Sequence, residues 1–355
     1  MRAPLSWIRD FVEIPSSLTV EEISKGLVRV GFEVEDVIFQ GSDIKGPLSF
    51  AEVLSIEEIT EFKKPIRYVG LDCGEKQTRY VICGATNFKV GDIVLAALPG
   101  AVLPGDFAIA ARETYGKTSN GMICSAKELA LSDDHVGIMV FDKEQVSIKD
   151  DVREKLQIDD VIFDIAVNPD RGYALSIRGV AREIAGAFGL KFSDPVEKLR
   201  GLTFKKTGEG VQPKIEDKDA ASVFHLRTMS KFDPKAATPI WMRRRIEKMG
   251  MRSISLVVDV TNYVMLELGQ PLHAFDRKKI KGKLRIVRAG KSEKFTTLDG
   301  QERNLDPQDL MVSDDERALA LAGTMGGLYS EITEETTEIA LEAVRFNPIA
   351  IAQNS

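Results

Sequence analysis

The sequence predicts a multidomain α+β protein in which a small all-β barrel separates two regions of mixed helices and strands. Its 355 residues exceed one ordinary core, since a domain typically holds roughly 150 residues. An amphipathic helix pattern near the N-terminus gives way to short apolar runs punctuated by glycine, and helical patterns then return. We therefore expect two or three domains.

The composition is that of a soluble globular protein, with 43% hydrophobic and 29% charged residues. Arg9 and Asp10 interrupt the apolar N-terminus, and no apolar run has the length of a membrane span, so we expect a cytoplasmic protein. A net charge of −6 disfavours binding nucleic acid through the overall field. Any RNA contact must be local or shared with a partner.

The cysteines favour neither a disulfide framework nor a metal site. Cys73, Cys83 and Cys124 lack CxxC spacing, and the chain has only three histidines. Cys124 and Ser125 with His135 invite comparison with a nucleophilic site, but Cys124 reads as a barrel core residue. We expect no metal and no covalent nucleophile.

Local signals predict the elements in order. Thr19 and Glu22 form a capping-box pattern before a helix that ends near Gly31, and a strand follows. Ser125 and Glu128 predict a second, short helix beside the barrel. Asn168 and Pro169 should introduce a helix with an apolar stripe, ended by Gly189; the stripe is Ile177, Val180, Ala181, Ile184 and Phe188.

Three further signals lie in the last third of the chain. One helix should carry Met242, Ile246 and Met249 on one side and basic residues on the other; the latter are Arg243, Arg244, Arg245 and Lys248. The basic side is either a solvated face or a phosphate rail for RNA. Asp299 and Gly300 predict a tight hairpin, and Asn347 with Pro348 predicts a last helix, inside which the fragment ends.

Three stretches of the sequence carry motifs of known modules. Residues 81–87 (VICGATN), 98–105 (LPGAVLPG) and 119–125 (SNGMICS) resemble an OB-fold tRNA-binding module. Residues 168–176 (NPDRGYALS) look like the return from that insertion into the N-terminal domain. Residues 258–264 (VDVTNYV), 268–276 (LGQPLHAFD) and 321–327 (LAGTMGG) are similar to the B3/B4 editing module. In this order, the three stretches resemble the β subunit of bacterial phenylalanyl-tRNA synthetases.

The resemblance implies a domain layout. A small α/β N-terminal domain, 1–39 plus 151–192, would be interrupted by an OB-fold β-barrel at 40–150. A mixed α+β editing domain, truncated at its C-terminus, would occupy 200–355.

The resemblance also assigns site residues. Glu342 would read the hydroxyl of tyrosine, and period-two alternation places it on a strand face with Ala340 and Val344. His273 would act at the scissile ester, as the catalytic residue. Without the resemblance, Glu342 reads as a solvated carboxylate and His273 as a residue packing a turn.

Four more residues complete the implied substrate-binding set. Thr261 and Asn262 interrupt an apolar helix pattern and would line the cavity, although a threonine can also bond to its own preceding turn. Ala322 and Gly323 belong to a small-residue loop with Gly326 and Gly327, whose amides could hold a carbonyl oxygen. A plain tight turn is the alternative.

The implied function is that of one part of an enzyme. With the α subunit, in a heterotetramer, the whole protein would charge tRNA(Phe), and this chain would hydrolyse mischarged tyrosyl-tRNA(Phe) by directed water attack. ATP and Mg²⁺ are implied for the whole enzyme and no cofactor for this fragment. The alternatives are a non-catalytic tRNA-positioning module and, more weakly, a free-standing OB-fold tRNA chaperone.

Overall fold

The computed structural model describes residues 1–62, 66–132, 136–203, 208–290 and 293–354. His135 and residues 63–65 lie outside the described residues. The chain folds into two compact units: 1–195 with 237–253, and 196–236 with 254–355. Among the described residues, no helix is long and apolar enough to cross a bilayer.

In the first unit, strands that precede the barrel and a strand that follows it form one antiparallel sheet. Its elements are β1 (Arg2–Pro4), α1 (Leu5–Ile8), α2 (Val20–Arg29), β2 (Glu33–Gln40), β3 (Leu48–Ile59), β4 (Ile66–Asp72), β5 (Arg79–Cys83), β6 (Ile93–Ala97), β7 (Val102–Leu103), β8 (Phe107–Ala108), β9 (Arg112–Thr114), β10 (Lys117–Ser119), β11 (Met122–Ile123), β12 (Val140–Phe141), α3 (Val152–Lys155), β13 (Asp160–Ala166), α4 (Ile177–Phe188) and α5 (Ile240–Lys248).

The N-terminal sheet has the order β1, β13, β2, so the chain leaves it after β2 and returns to it after the barrel. The capping box predicted for α2 is confirmed: the Thr19 hydroxyl accepts from the Glu22 amide, and the Glu22 carboxylate accepts from the Thr19 amide at 2.8 Å. Helices α2 and α4 pack together. Gly26 allows this, because a Cβ there would lie 2.4 Å from the ring of Phe188.

The barrel-like sheet has the order β11, β6, β3, β4, β5, with β12 also pairing with β6. Its two ends nearly close, since the Asn120 amide donates to the Tyr80 carbonyl at 2.8 Å. Strand β6 and the first half of β3 are buried on both faces, with Val53 in one core and Phe50 in the other. Cys124 is buried in the second core, where burial raises its pKa to about 12, so the core interpretation is confirmed.

Helix α5 overturns the prediction for the basic side. Arg244 and Lys248 are 1% and 2% exposed. Arg244 pairs with Glu247 and donates through Nε to the Leu156 carbonyl at 2.9 Å, and Lys248 Nζ lies 2.7 Å from Asp160. For these two residues the solvated face and the phosphate rail are both wrong, because the helix meets internal acids and carbonyls of the first unit.

The described residues of the second unit form three sheets, of five, three and two strands. Its elements are β14 (Pro213–Ile215), β15 (Ala221–Ser230), α6 (Leu256–Leu268), β16 (His273–Asp276), β17 (Leu284–Arg288), β18 (Lys294–Thr296), β19 (Glu302–Asn304), β20 (Leu310–Ser313), β21 (Ala318–Leu321), β22 (Met325–Gly326), β23 (Glu338–Phe346) and α7 (Pro348–Asn354). The five-stranded sheet has the order β14, β17, β20, β21, β22, the three-stranded sheet has the order β15, β23, β16, and β18 pairs with β19.

Four local predictions have mixed outcomes. Ser125 and Glu128 make the capping-box hydrogen bonds, but a turn follows instead of a helix, since Ala130 turns the chain at φ +48°. Pro169 starts a 3-10 turn, and α4 begins only after Ser176, whose hydroxyl accepts from the Gly179 amide. The hairpin at 299–300 is confirmed with a wider, five-residue connection, and the last helix is confirmed at Pro348.

The mixed α+β class and the barrel are thus confirmed. The OB topology and the domain boundaries stay predictions.

Candidate functional site

Glu342 lies on the central strand of the three-stranded sheet. In the register of that sheet it stands opposite Leu226 of β15 on one side and His273 of β16 on the other. Directly opposed residues of antiparallel strands project to the same face, so these three side chains share a face. The alternation predicted from the sequence, with Ala340 and Val344 on this face too, is confirmed.

The carboxyl group of Glu342 is buried and incompletely bonded. The residue is 7% exposed, and its Oε2 has no hydrogen-bond partner among the described residues. Burial alone raises the pKa of Glu342 to about 8, because desolvation penalises the charged form. At neutral pH the group is therefore mostly the neutral acid, and the solvated-carboxylate alternative is wrong.

His273 is the first residue of β16, and its ring meets the ring of Phe275 edge-on at 4.5 Å between centroids. The ring also lies against the backbone of Gly326, where a Cβ would come within 2.6 Å of Cε1. Burial lowers the pKa of His273 to about 4. The imidazole is thus uncharged at neutral pH.

Helix α6 carries Thr261 and Asn262 and lies beside β16. Its C-terminus is set by Gly269, which adopts φ +77°. The Thr261 hydroxyl donates to the Val258 carbonyl at 2.7 Å, so it satisfies itself on the preceding turn, as the alternative interpretation held. Asn262 is half-buried.

Ala322 and Gly323 form the turn between β21 and β22. The Ala322 amide donates to the Leu310 carbonyl at 2.8 Å, and its carbonyl accepts from Asn354 at 2.9 Å. The Gly327 amide also has an internal acceptor, the Leu319 carbonyl at 2.8 Å. The amides of Ala322 and Gly327 are therefore engaged within the fold, contrary to the predicted carbonyl-binding role.

Two residues of this neighbourhood have roles that the sequence did not reveal. Leu226 lies opposite Glu342, and the alternation of Phe224, Leu226 and Thr228 is the pattern that could have revealed its strand. Gly326 had been grouped with the loop as an amide donor, whereas the structure uses it to admit the ring of His273. Whether a glycine contributes its amide or the space left by its missing side chain depends on the residue packed against it, and the sequence does not show that residue.

The chemistry available on this face is that of two uncharged groups. A buried acid with an open oxygen can bond one hydroxyl, and a neutral imidazole can accept one hydrogen bond. Cavities of about 570 and 220 Å³ lie in the first unit, beside Arg153 and Asn87 respectively, so neither includes these residues. In the described residues, no three His, Cys, Asp or Glu side chains cluster as metal ligands.

Comparison with known proteins gives the class first. Residues 48–148 match the putative tRNA binding domain family, and residues 220–355 match the B3/4 domain family. Together with the names of the relatives given next, these two matches indicate the class of aminoacyl-tRNA synthetase subunits.

The chain belongs to the family of phenylalanine–tRNA ligase beta subunits. It is 49% identical to the beta subunit of Streptomyces avermitilis, 48% to that of Thermobifida fusca and 46% to that of Nocardia farcinica. These alignments include 99 to 100% of the chain and 42 to 43% of each relative. The chain thus spans less than half the length of these curated relatives.

A solved structure is also similar, an N-terminal fragment of the phenylalanyl-tRNA synthetase beta subunit from Pyrococcus horikoshii. The identity is 16% and the TM-score 0.31, over 55% of this chain and 62% of that one. The likeness is too low to bear on the fold.

Proposed function

We propose that the face of β23 bearing Glu342 and His273 is an editing site that hydrolyses tyrosyl-tRNA(Phe) and spares phenylalanyl-tRNA(Phe). The observation that carries this proposal is the buried Oε2 of Glu342, which lacks a partner among the described residues. A buried polar atom without a partner is costly, and a ligand that supplies the missing bond recovers that cost.

Selectivity follows from this open oxygen. Tyrosine differs from phenylalanine by one hydroxyl, and a slot that only fits the ring separates the two by roughly 10²-fold. A site built to bond the hydroxyl rejects its absence by roughly 10⁴ to 10⁵. A phenol that reaches Glu342 completes its hydrogen bonding, whereas a benzyl group leaves it unpaired.

In the hydrolysis, a water oxygen attacks the ester carbonyl carbon, the bond from that carbon to the ribose oxygen breaks, and the ribose oxygen takes up a proton. A general base works best with a pKa near the working pH. With a pKa of about 4, His273 is a weak base, so we assign it to orienting the water through a hydrogen bond. Thr261, Asn262, Ala322 and Gly323 are proposed as further lining residues.

The rest of the proposal concerns the whole enzyme. The barrel, 40–150, would be an OB-fold tRNA-binding domain inserted between 1–39 and 151–192, and 200–355 would be the B3/B4 domain. In the cytoplasm the complete subunit would act with an alpha subunit, in a heterotetramer that charges tRNA(Phe). ATP and Mg²⁺ would serve that aminoacylation, and no residue of this chain is proposed to hold them.

The test is a deacylation assay with tyrosyl-tRNA(Phe) and phenylalanyl-tRNA(Phe) on the assembled enzyme that contains this chain. We expect Glu342→Ala to slow tyrosyl-tRNA hydrolysis by about ten- to a hundredfold, the effect of one lost bond to a buried group. His273→Ala should also slow it. The matched control is His225→Ala, a histidine of the same sheet that is exposed on the opposite face.

Equal hydrolysis by wild type and Glu342→Ala would refute the assigned role of Glu342. If no variant, wild type included, hydrolyses either substrate while tRNA is still bound, the chain is a non-catalytic tRNA-positioning module.

A further inference from the structure

The outer face of the barrel-like sheet carries two stacked tyrosines. Tyr68 of β4 and Tyr80 of β5 lie 5.1 Å apart between ring centroids, with an interplanar angle of 19°. The residue opposite Tyr80 is Gly70, where a Cβ would come within 3.2 Å of the Tyr80 ring. Tyr80 is 42% exposed, so this pair leaves aromatic surface open to solvent.

The β9–β10 hairpin extends this surface. Lys117 Nζ lies 4.9 Å from the ring centroid of Tyr68. Two residues earlier, Tyr115 meets Phe62 edge-on at 4.7 Å, and these two residues are 46% and 43% exposed. One hairpin thus contacts both aromatic pairs, and we call Phe62, Tyr68, Tyr80 and Tyr115 the aromatic row.

The conformation of Tyr115 is costly. Tyr115 and Gly116 form a two-residue turn between paired strands, with φ of +50° and +69°. Both positions of such a turn favour asparagine, aspartate or glycine, and a bulky residue at positive φ is an outlier. Strain of this kind often marks a functional position. A tyrosine at this tip exposes an aromatic ring where asparagine would fit the backbone better.

The charges around the row disfavour a phosphate site. Lys117 pairs with Glu57 at 2.9 Å, Arg67 with Glu58 at 2.8 Å, and Arg79 with Glu75 at 2.7 Å. A phosphate would have to displace a carboxylate from each of these cations. The rings of Phe62, Tyr80 and Tyr115, in contrast, are exposed to solvent, and within the described residues only Tyr68 has a cation, Lys117, over its ring.

We propose that the aromatic row binds an unpaired segment of RNA by stacking its bases. This inference rests on the tRNA-binding part of the proposed function and specifies its contact surface. Aromatic rings bind bases of any sequence, because every base has a π-face. Such a surface would select exposed, unstacked nucleotides over paired ones, and its affinity would depend weakly on salt.

The test measures binding of the full chain to a short oligoadenylate, to an RNA duplex of equal length and to a tRNA(Phe) transcript. Tyr80→Leu should weaken oligoadenylate binding about five- to a hundredfold, the usual effect of losing one stacked base. Tyr80→Phe, which keeps the ring, should bind as wild type does. Phe39→Ala removes an aromatic residue that is 56% exposed in the N-terminal sheet and is the matched control.

Tyr115→Asn separates binding from folding. The substitution should weaken oligoadenylate binding while leaving the melting temperature of the first unit unchanged or higher, because asparagine suits the turn. Trp7 and Trp241 both lie in that unit and report its melting by fluorescence. A ring with a purely structural role would give the opposite result, a lower melting temperature and unchanged binding.

Several results would overturn the inference. These are equal oligoadenylate binding by wild type and Tyr80→Leu, no binding by wild type, equal affinity for the duplex, or self-association of the chain that Tyr80→Leu abolishes. If Tyr80→Leu leaves oligoadenylate binding unchanged while the wild type still binds tRNA and deacylates tyrosyl-tRNA, only this inference is refuted. If the wild type does not deacylate tyrosyl-tRNA but Tyr80→Leu still weakens oligoadenylate binding, only the editing proposal is refuted.

Discussion

Replacing Glu342 by glutamine should stabilise the second unit at high pH and leave it nearly unchanged at low pH. The folded protein holds the pKa of this carboxyl at about 8, against an ordinary value of 4.5. Between these two values the folded state binds more protons than the unfolded state, so stability falls as the pH rises. Above about pH 8 the full cost of burying the charge is present, whereas below about pH 4.5 the group is neutral in both states.

The size of the effect follows from the same two values. One pKa unit corresponds to about 1.4 kcal/mol, so the difference between 4.5 and about 8 corresponds to at most about 5 kcal/mol. Glutamine is uncharged at every pH and similar in shape. We therefore expect the advantage of Glu342→Gln to grow from near zero at pH 4.5 to several kcal/mol at pH 8.5.

The assay is urea unfolding of wild type and Glu342→Gln at pH 4.5 and pH 8.5, followed by far-UV circular dichroism. Tryptophan fluorescence reports the first unit, because both tryptophans lie there. Glu338→Gln, at the start of the same strand, is the matched control. The reasoning would be refuted if the two proteins differed in stability by the same amount at both pH values. It would also be refuted if the variant were the less stable protein at pH 8.5, which would show that the carboxylate has a favourable partner.

Three further predictions follow from contacts described above. Gly326→Ala should push the His273 ring from its place and slow tyrosyl-tRNA deacylation at least as much as His273→Ala does, which the same deacylation assay measures. Lys248→Met should destabilise the first unit by about 3 to 5 kcal/mol, because the buried carboxylate of Asp160 loses its counter-charge and keeps only its hydrogen bonds to Ser6 and Val161, and tryptophan-monitored unfolding would detect this. Thr19→Ala should cost about 0.5 to 2 kcal/mol in the same measurement, since the cap of α2 is lost, and no change would contradict the capping role.

Sequence patterns predicted the elements whose signals are local. The cap at Thr19, the glycine stop at Gly189 and the alternation around Glu342 each depend on neighbours a few residues away, and each is confirmed. The capping box at Ser125 also formed its bonds, but a helix needs continued hydrogen bonding beyond the cap. The left-handed turn at Ala130 prevents that.

The failures come from contacts between distant parts of the chain. Lys248 is buried because it meets Asp160, 88 residues away, and no pattern within the helix reveals that partner. The same holds at the candidate site. The resemblance named Glu342 and His273, but their juxtaposition, the loss of free amides at Ala322 and the role of Gly326 depend on tertiary contacts.

The middle position of β23 also constrains how the second unit assembles during synthesis. Its neighbours β15 and β16 are both translated before it. Over a hundred residues separate Leu226 from Glu342, its partner in the sheet. Contacts of such long sequence separation form slowly, since the intervening loop must first be closed. Until β23 emerges from the ribosome, β15 and β16 lack the strand that pairs with both of them. At this stage we expect the second unit to be most prone to chaperone binding or misassociation.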